Sequence, residues 1–175
     1  VGHFDDSDSV MEFVNSNQFD ELASLGTSCP DHFLRTKIRP LVIDFDFQSA
    51  STKDRKIALG PLIERYREEY KAYYQRCKRE NSPDIRDPNP IIYLIPRVGM
   101  ISFAKDKATA RISSEFYVNA INVMRGACLI STYFGLPEQE AFDIEYWQLE
   151  ENKLRRLPAP KPMAGKTAVI TGAAG

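Results

Sequence analysis

Ile91-Ile92-Tyr93-Leu94-Ile95-Pro96-Arg97-Val98-Gly99-Met100-Ile101-Ser102-Phe103 consists of two apolar runs separated by a turn that carries proline and glycine. A short, unbroken apolar run bounded by turn residues reads as a buried strand, so strands are expected over residues 91–95 and 100–103. Pro96-Arg97-Val98-Gly99 turns or kinks the chain between them.

Helical periodicity lies on both sides of this unit. Downstream, residues 107–125 place Ala108, Ile112, Phe116, Ala120 and Val123 in one row and Tyr117, Ile121 and Met124 in another. A helix apolar over so wide an arc is expected to be buried on two sides. Arg111 stands one turn before Glu115, which reads as a structural ion pair rather than a general base with its partner. Gly126 and the apolar stretch to Phe134 either extend this helix or break it. Gly135-Leu136-Pro137 then opens a last helix over about 137–156, expected to bury Ala141, Ile144, Trp147 and Leu154.

Upstream, residues 81–90 are a polar, proline-rich loop. Before it, residues 61–80 form the clearest helix, with Pro61 in its first turn. Leu62, Tyr66, Tyr70, Tyr73 and Cys77 make one apolar stripe along it, read as core with hydroxyls reaching toward the rim. Leu41 to Phe45 reads as a further strand. Residues 5–25 read as two short helices, capped by Ser7 or Ser9 at the start and stopped by Gly26. His3 is placed in an N-terminal tail. Helices and strands thus mix along the chain in the manner of an α/β domain.

The chain has 175 residues, 43% of them hydrophobic and 27% charged, with a formal net charge of -1. That balance is globular, and no net field would draw the chain to nucleic acid or an anionic membrane. No apolar run approaches the roughly 20 residues of a membrane span. The N-terminus has neither the basic start nor the apolar stretch of a signal peptide, and it lacks Met, which fits a piece of a longer chain. Cys29, Cys77 and Cys128 lie far apart with no metal-binding spacing, and are expected to be free thiols in a cytoplasmic protein.

Three features bear on chemistry. Arg35, Lys37 and Arg39 alternate along a segment read as extended, which puts them on one face as candidate phosphate ligands; a solvated, charged strand edge is the alternative. Cys29 and His32 offer two metal donors, a poor site, so His32 reads more simply as a turn histidine bonded to local backbone. Past the stiff Leu157-Pro158-Ala159-Pro160-Lys161-Pro162 segment, Thr167 to Ile170 reads as a buried strand running into a Thr171-Gly172 turn.

That tail resembles the opening of the short-chain dehydrogenase/reductase family, whose first strand ends in a TGxxxGxG turn. Thr171 and Gly172 match its first two positions, and the later glycines and the Tyr-Lys catalytic pair are not in this sequence. The body resembles bifunctional rhamnulose-1-phosphate aldolase/short-chain dehydrogenase proteins. Three stretches carry the likeness: Gly26 to Leu41; Pro96 to Tyr117 with its Lys105-Asp106-Lys107 and Ser114-Glu115-Phe116-Tyr117; and Leu136-Pro137-Glu138-Gln139-Glu140-Ala141 running on to Trp147.

In that family a class II aldolase domain comes first and the dehydrogenase last. The resemblance implies a degenerate, three-layer class II aldolase-like α/β unit over residues 1–157. A linker at 158–164 and the first strand of a Rossmann-type domain at 165–175 would follow. The family cleaves L-rhamnulose 1-phosphate to dihydroxyacetone phosphate and L-lactaldehyde, then oxidises the aldehyde. Zinc and NAD(P) are therefore expected for the parent, and neither for this chain alone. Where the aldolase pattern has its metal-binding HxHPD segment and His-Gly turn, this sequence holds Thr27, Cys29 and Val98, a set that has lost its metal ligands. The expected partners are the parent's other domains and further copies in a homo-oligomer, with no nucleic acid or membrane. The chain itself is expected to be a structural or docking domain, or alternatively a sugar-phosphate- or metal-binding domain with its site around Cys29, His32 and Arg35.

Overall fold

The computed structural model describes residues 1–27 and 30–149, with isolated positions beyond. Ten elements follow in order: β1 (Gly2–Asp5), α1 (Asp8–Val14), α2 (Phe19–Leu25), α3 (Pro30–Thr36), β2 (Leu41–Val42), α4 (Thr52–Cys77), β3 (Ile92–Ile95), β4 (Gly99–Phe103), α5 (Lys107–Ile130) and α6 (Glu138–Glu145). The predicted pair around Pro96 is an antiparallel hairpin, with Ile92 opposite Ser102 and Ile95 opposite Gly99. It forms the centre of a four-stranded sheet ordered β1-β4-β3-β2, in which β1 runs antiparallel to β4 and β2 parallel to β3.

Strand alternation then splits the core in two. Ile92, Leu94 and Met100 face a cluster built from Val10, Phe13, Leu22, Tyr117, Ile121 and Met124. Tyr93, Ile95 and Ile101 pack in a second cluster with Tyr70, Tyr73, Phe142 and Tyr146. Helices α1, α2 and α5 therefore cover one face and α4 and α6 the other, giving the three layers expected. Each large side chain buried this way stabilises the fold by about 1.5–3 kcal/mol before entropy is counted. Leu41 and Val42 pair with the hairpin in one sheet, as an aldolase-like unit requires.

Several expectations are corrected. The N-terminus is strand β1 rather than a tail, with His3 opposite Ser102 and the Val1 amine donating to the Ala104 carbonyl at 2.8 Å. Helix α4 begins at Thr52, not near Pro61, because Ser51 caps it by accepting from the Asp54 N–H at 3.2 Å. Pro61 removes one intrahelical hydrogen bond, and the cap on one side and the tyrosine stripe on the other hold the helix through it. Helix α5 runs through Gly126 to Ile130, and of its row Ala108 to Val123 Ala120 is buried and Ile112 and Phe116 are half-buried. Its buried residues lie on a single face that includes Ala110, Ser113, Ser114, Tyr117 and Ile121, while Val123 is 42% exposed. After α6, Trp147 is half exposed rather than buried, and Leu154 lies outside the described residues.

The largest correction concerns residues 30–37. Pro30–Thr36 is a helix, not an extended stretch, and the Thr36 hydroxyl donates back to the His32 carbonyl at 2.9 Å. Lys37 ends it with a φ of 64°, a left-handed turn that reverses the side-chain pattern assumed for Arg35, Lys37 and Arg39. His32 is consequently buried in a helix, its ring edge-on to Phe116 at 5.3 Å, and is not a turn histidine.

Two glycines fix the junction where the segment after α5 crosses the end of α2. Gly26 has a φ of 75°, and a Cβ there would meet the Ile38 carbonyl oxygen at 2.4 Å. A Cβ on Gly135 would fall 2.1 Å from the Leu25 carbonyl oxygen, while nearby Tyr133 donates to the Gly26 carbonyl at 2.8 Å. Gly135→Ala is expected to destabilise the domain by about 3 kcal/mol, the upper end for overpacking, because backbone and not a flexible side chain must yield. Urea unfolding measures it; an unchanged midpoint would show that the crossing is loose.

Candidate functional site

The tyrosine stripe of α4 does more than fill the core. Tyr70 donates to Glu145 Oε1, and Tyr73 donates to Glu145 Oε2 at 3.2 Å. Tyr146 lies 2.7 Å from the Tyr70 oxygen; since the Tyr70 proton goes to Glu145, Tyr146 is the donor there. The Arg86 backbone N–H reaches the Tyr146 hydroxyl at 3.3 Å, and the Arg86 guanidinium donates to the Glu145 carbonyl at 3.0 Å. A chain of hydrogen bonds thus runs from the 81–90 loop through two phenols to one carboxylate, each bond polarising the next.

Glu145 is fully buried at the end of α6. Burial pushes its carboxyl above the usual range, and the Tyr70 hydrogen bond and the charge of Lys37 pull back against that shift. Lys37, only 5% exposed, places its ammonium 3.7 Å above the Tyr70 ring and donates to the Asp87 carbonyl. Burial lowers its amine to about 8, opposed by Glu145 and Asp87. The left-handed backbone at Lys37 is what turns this side chain inward, so the local strain serves the network.

Beside the network lies a cavity of about 470 Å³, lined among others by Arg35, Lys37, Arg86, Asp87, Lys105 and Glu145. Two of the three candidate phosphate ligands therefore come together, on a helix end and not along a strand. Arg39 does not join them: it borders a separate groove with Arg65 and pairs with Glu138 at 3.5 Å. Arg86, Lys105 and Glu145 are functional candidates that the sequence reading missed. They lie in three different segments, and no local pattern links them to Lys37. His32 does not line this cavity, and Cys29 lies outside the described residues.

The Arg111–Glu115 pair forms as expected and is solvent-exposed on both sides, a surface contact worth little to stability. At the degenerate metal positions, Thr27 is buried and Val98 packs against the second core cluster. A threonine and an alkyl side chain do not make the nitrogen, sulfur or carboxylate set that zinc needs. Among the described residues no group of three His, Cys, Asp or Glu is placed to hold a metal. Thr171 and Gly172 are exposed, with open space around the Gly172 Cα and a φ of 74°; most of the strand and turn predicted around them lies outside the described residues. No helix among the described residues is long and apolar enough to cross a membrane.

A small mixed sheet with helices on both faces defines an aldolase-like α/β domain. Residues 1–154 match the family described as "Aldolase class II, second domain", and the chain belongs to that family. It is also 37% identical over 172 residues to the uncharacterized oxidoreductase YuxG of Bacillus subtilis (strain 168), a match covering 98% of this chain and 25% of the relative. The chain thus spans about a quarter of that relative's length. No solved structure matches it.

Proposed function

We propose that this chain is the middle domain of a bifunctional protein of rhamnose catabolism, a sugar-phosphate aldolase joined to an NAD(P)-dependent short-chain dehydrogenase. Within that parent it is a non-catalytic docking domain. The family match to a second aldolase domain and the likeness to part of an oxidoreductase support the parent reading. In the parent, retro-aldol cleavage of L-rhamnulose 1-phosphate breaks one C–C bond to give dihydroxyacetone phosphate and L-lactaldehyde; water adds to the aldehyde, and NAD(P)⁺ takes hydride from the hydrate to leave lactate and protons. This domain supplies neither step.

The observation that carries the docking role is the tip of α5 and the turn after it. Leu129, Ile130 and Phe134 are 88%, 89% and 75% exposed. Three large apolar side chains so close together and so exposed mark a surface that is covered in the assembled protein. The test uses the full-length parent and this chain side by side. The parent is expected to cleave the sugar phosphate and reduce NAD(P)⁺, and the chain alone to do neither. Leu129→Asp with Ile130→Asp in the parent is expected to open new protease cuts at the domain boundaries. Unaltered proteolysis discards docking, and sugar-phosphate cleavage by the chain alone discards the non-catalytic reading.

A further inference from the structure

We propose that the cavity between α3, the start of α5 and the 86–91 segment binds the phosphate group of a small phosphomonoester. Four cationic side chains line it, Arg35, Lys37, Arg86 and Lys105, against two carboxylates, Asp87 and Glu145, a formal excess of two positive charges. Both carboxylates already have donors of their own. Glu145 accepts from two phenols, and Asp87 Oδ1 accepts from the Asn89 backbone N–H at 2.9 Å and the Asn89 amide at 2.6 Å. Two of the cations, Arg35 and Lys105, differ in this respect. Surface arginines elsewhere meet carboxylates, as Arg76 does with Glu138 and Arg79 with Asp143. Arg35 and Lys105 have no such partner among the described residues.

Lys37 supplies the buried anchor. An ammonium has three N–H donors; the Asp87 carbonyl takes one and the Tyr70 face shields one side, which leaves donor capacity toward the cavity. A phosphomonoester carries about two negative charges at neutral pH and matches the formal excess. The volume of about 470 Å³ exceeds what a bare phosphate fills and lies within the range of small-ligand pockets. Phe33, Ile91 and Phe103 supply apolar wall and Thr109 and Ser113 hydroxyls, which suits a short hydroxylated ester.

The test is titration calorimetry on the whole chain with glycerol 1-phosphate, inorganic phosphate and glycerol. Saturable binding of the ester at about 1 mM or tighter is expected, with no heat from glycerol. Arg35→Ala and Lys105→Ala remove exposed side chains, so circular dichroism should be unchanged while each weakens binding by about tenfold, the effect of one lost charge-assisted contact. No saturable binding, or both variants binding as tightly as the unaltered chain, overturns the site. Inorganic phosphate binding as tightly as the ester overturns the assignment to an ester. Since binding is read on the chain itself, none of these outcomes bears on the docking role.

Discussion

Glu145→Ala is expected to cost the domain about 3–5 kcal/mol, the loss typical of breaking one side of a buried charge arrangement. Three partners would be stranded at once. The Tyr70 and Tyr73 hydroxyls lose their acceptors, and Lys37 loses the carboxylate that helps hold its proton. Each buried hydroxyl left unsatisfied costs about 1–3 kcal/mol, and the buried ammonium adds its own desolvation. Glu145→Gln keeps an acceptor and the shape, so its loss should be markedly smaller. Lys37→Met added to Glu145→Ala should recover part of the loss, because the stranded cation disappears with it. Urea unfolding of the unaltered chain, Glu145→Ala, Lys37→Met and the double variant closes this cycle. A Glu145→Ala domain within about 1 kcal/mol of the unaltered chain would mean that water reaches the cluster and that the network is not a dry one.

Alkaline unfolding is the second large effect. Burial holds the phenols of Tyr66, Tyr70, Tyr73 and Tyr117 well above their ordinary value of 10.0, and Tyr146 is pushed up to about 12. Above pH 10 the unfolded chain gives up these protons and the folded one keeps them. The folded state then binds more protons, and stability falls as pH rises, by about 1.4 kcal/mol per pH unit for each phenol held protonated. Lys37 acts in the opposite direction. Its amine is lowered from 10.5 to about 8, so between those values the unfolded chain binds the extra proton and stability rises with pH. The stability profile should therefore climb modestly above pH 8 and collapse beyond pH 10. Tyrosinate absorbance should appear together with loss of the helical circular dichroism signal. Gradual tyrosine ionisation with the helical signal intact would contradict the buried placement of these side chains.

These two predictions rest on parts of the molecule that differ in how far the sequence foretold them. The hairpin around Pro96, the two short helices stopped at Gly26 and the tyrosine stripe from Tyr66 to Cys77 all follow from local periodicity and turn chemistry, and all are present. The stripe fixed which face of α4 is buried. The acceptor waiting on the other side, at the end of α6, lies far away in sequence. Helix limits were less legible. Thr52 to Gly60 lacks the strong apolar stripe of the following turns, and Pro61 resembles a start; only the Ser51 cap shows that the helix is already under way.

Local pattern on its own determined the apolar strands, their turns, the tyrosine face of α4 and the resemblance that led to the aldolase family. Such signals survive because alternation, helical period and turn residues act between near neighbours. The tertiary structure alone decided the fate of residues 30–39. A polar, proline-bearing segment of that length is weakly committed, and packing of Phe33 in the core draws it into a helix that alternation of charges did not suggest. The same packing forces Lys37 into a left-handed turn, buries its ammonium against Tyr70 and brings it to Arg35, Arg86 and Lys105, while Arg39 is left outside. A left-handed lysine is locally unfavourable, so nothing nearby in the sequence predicts it. Contacts with three distant segments supply the free energy that holds it there.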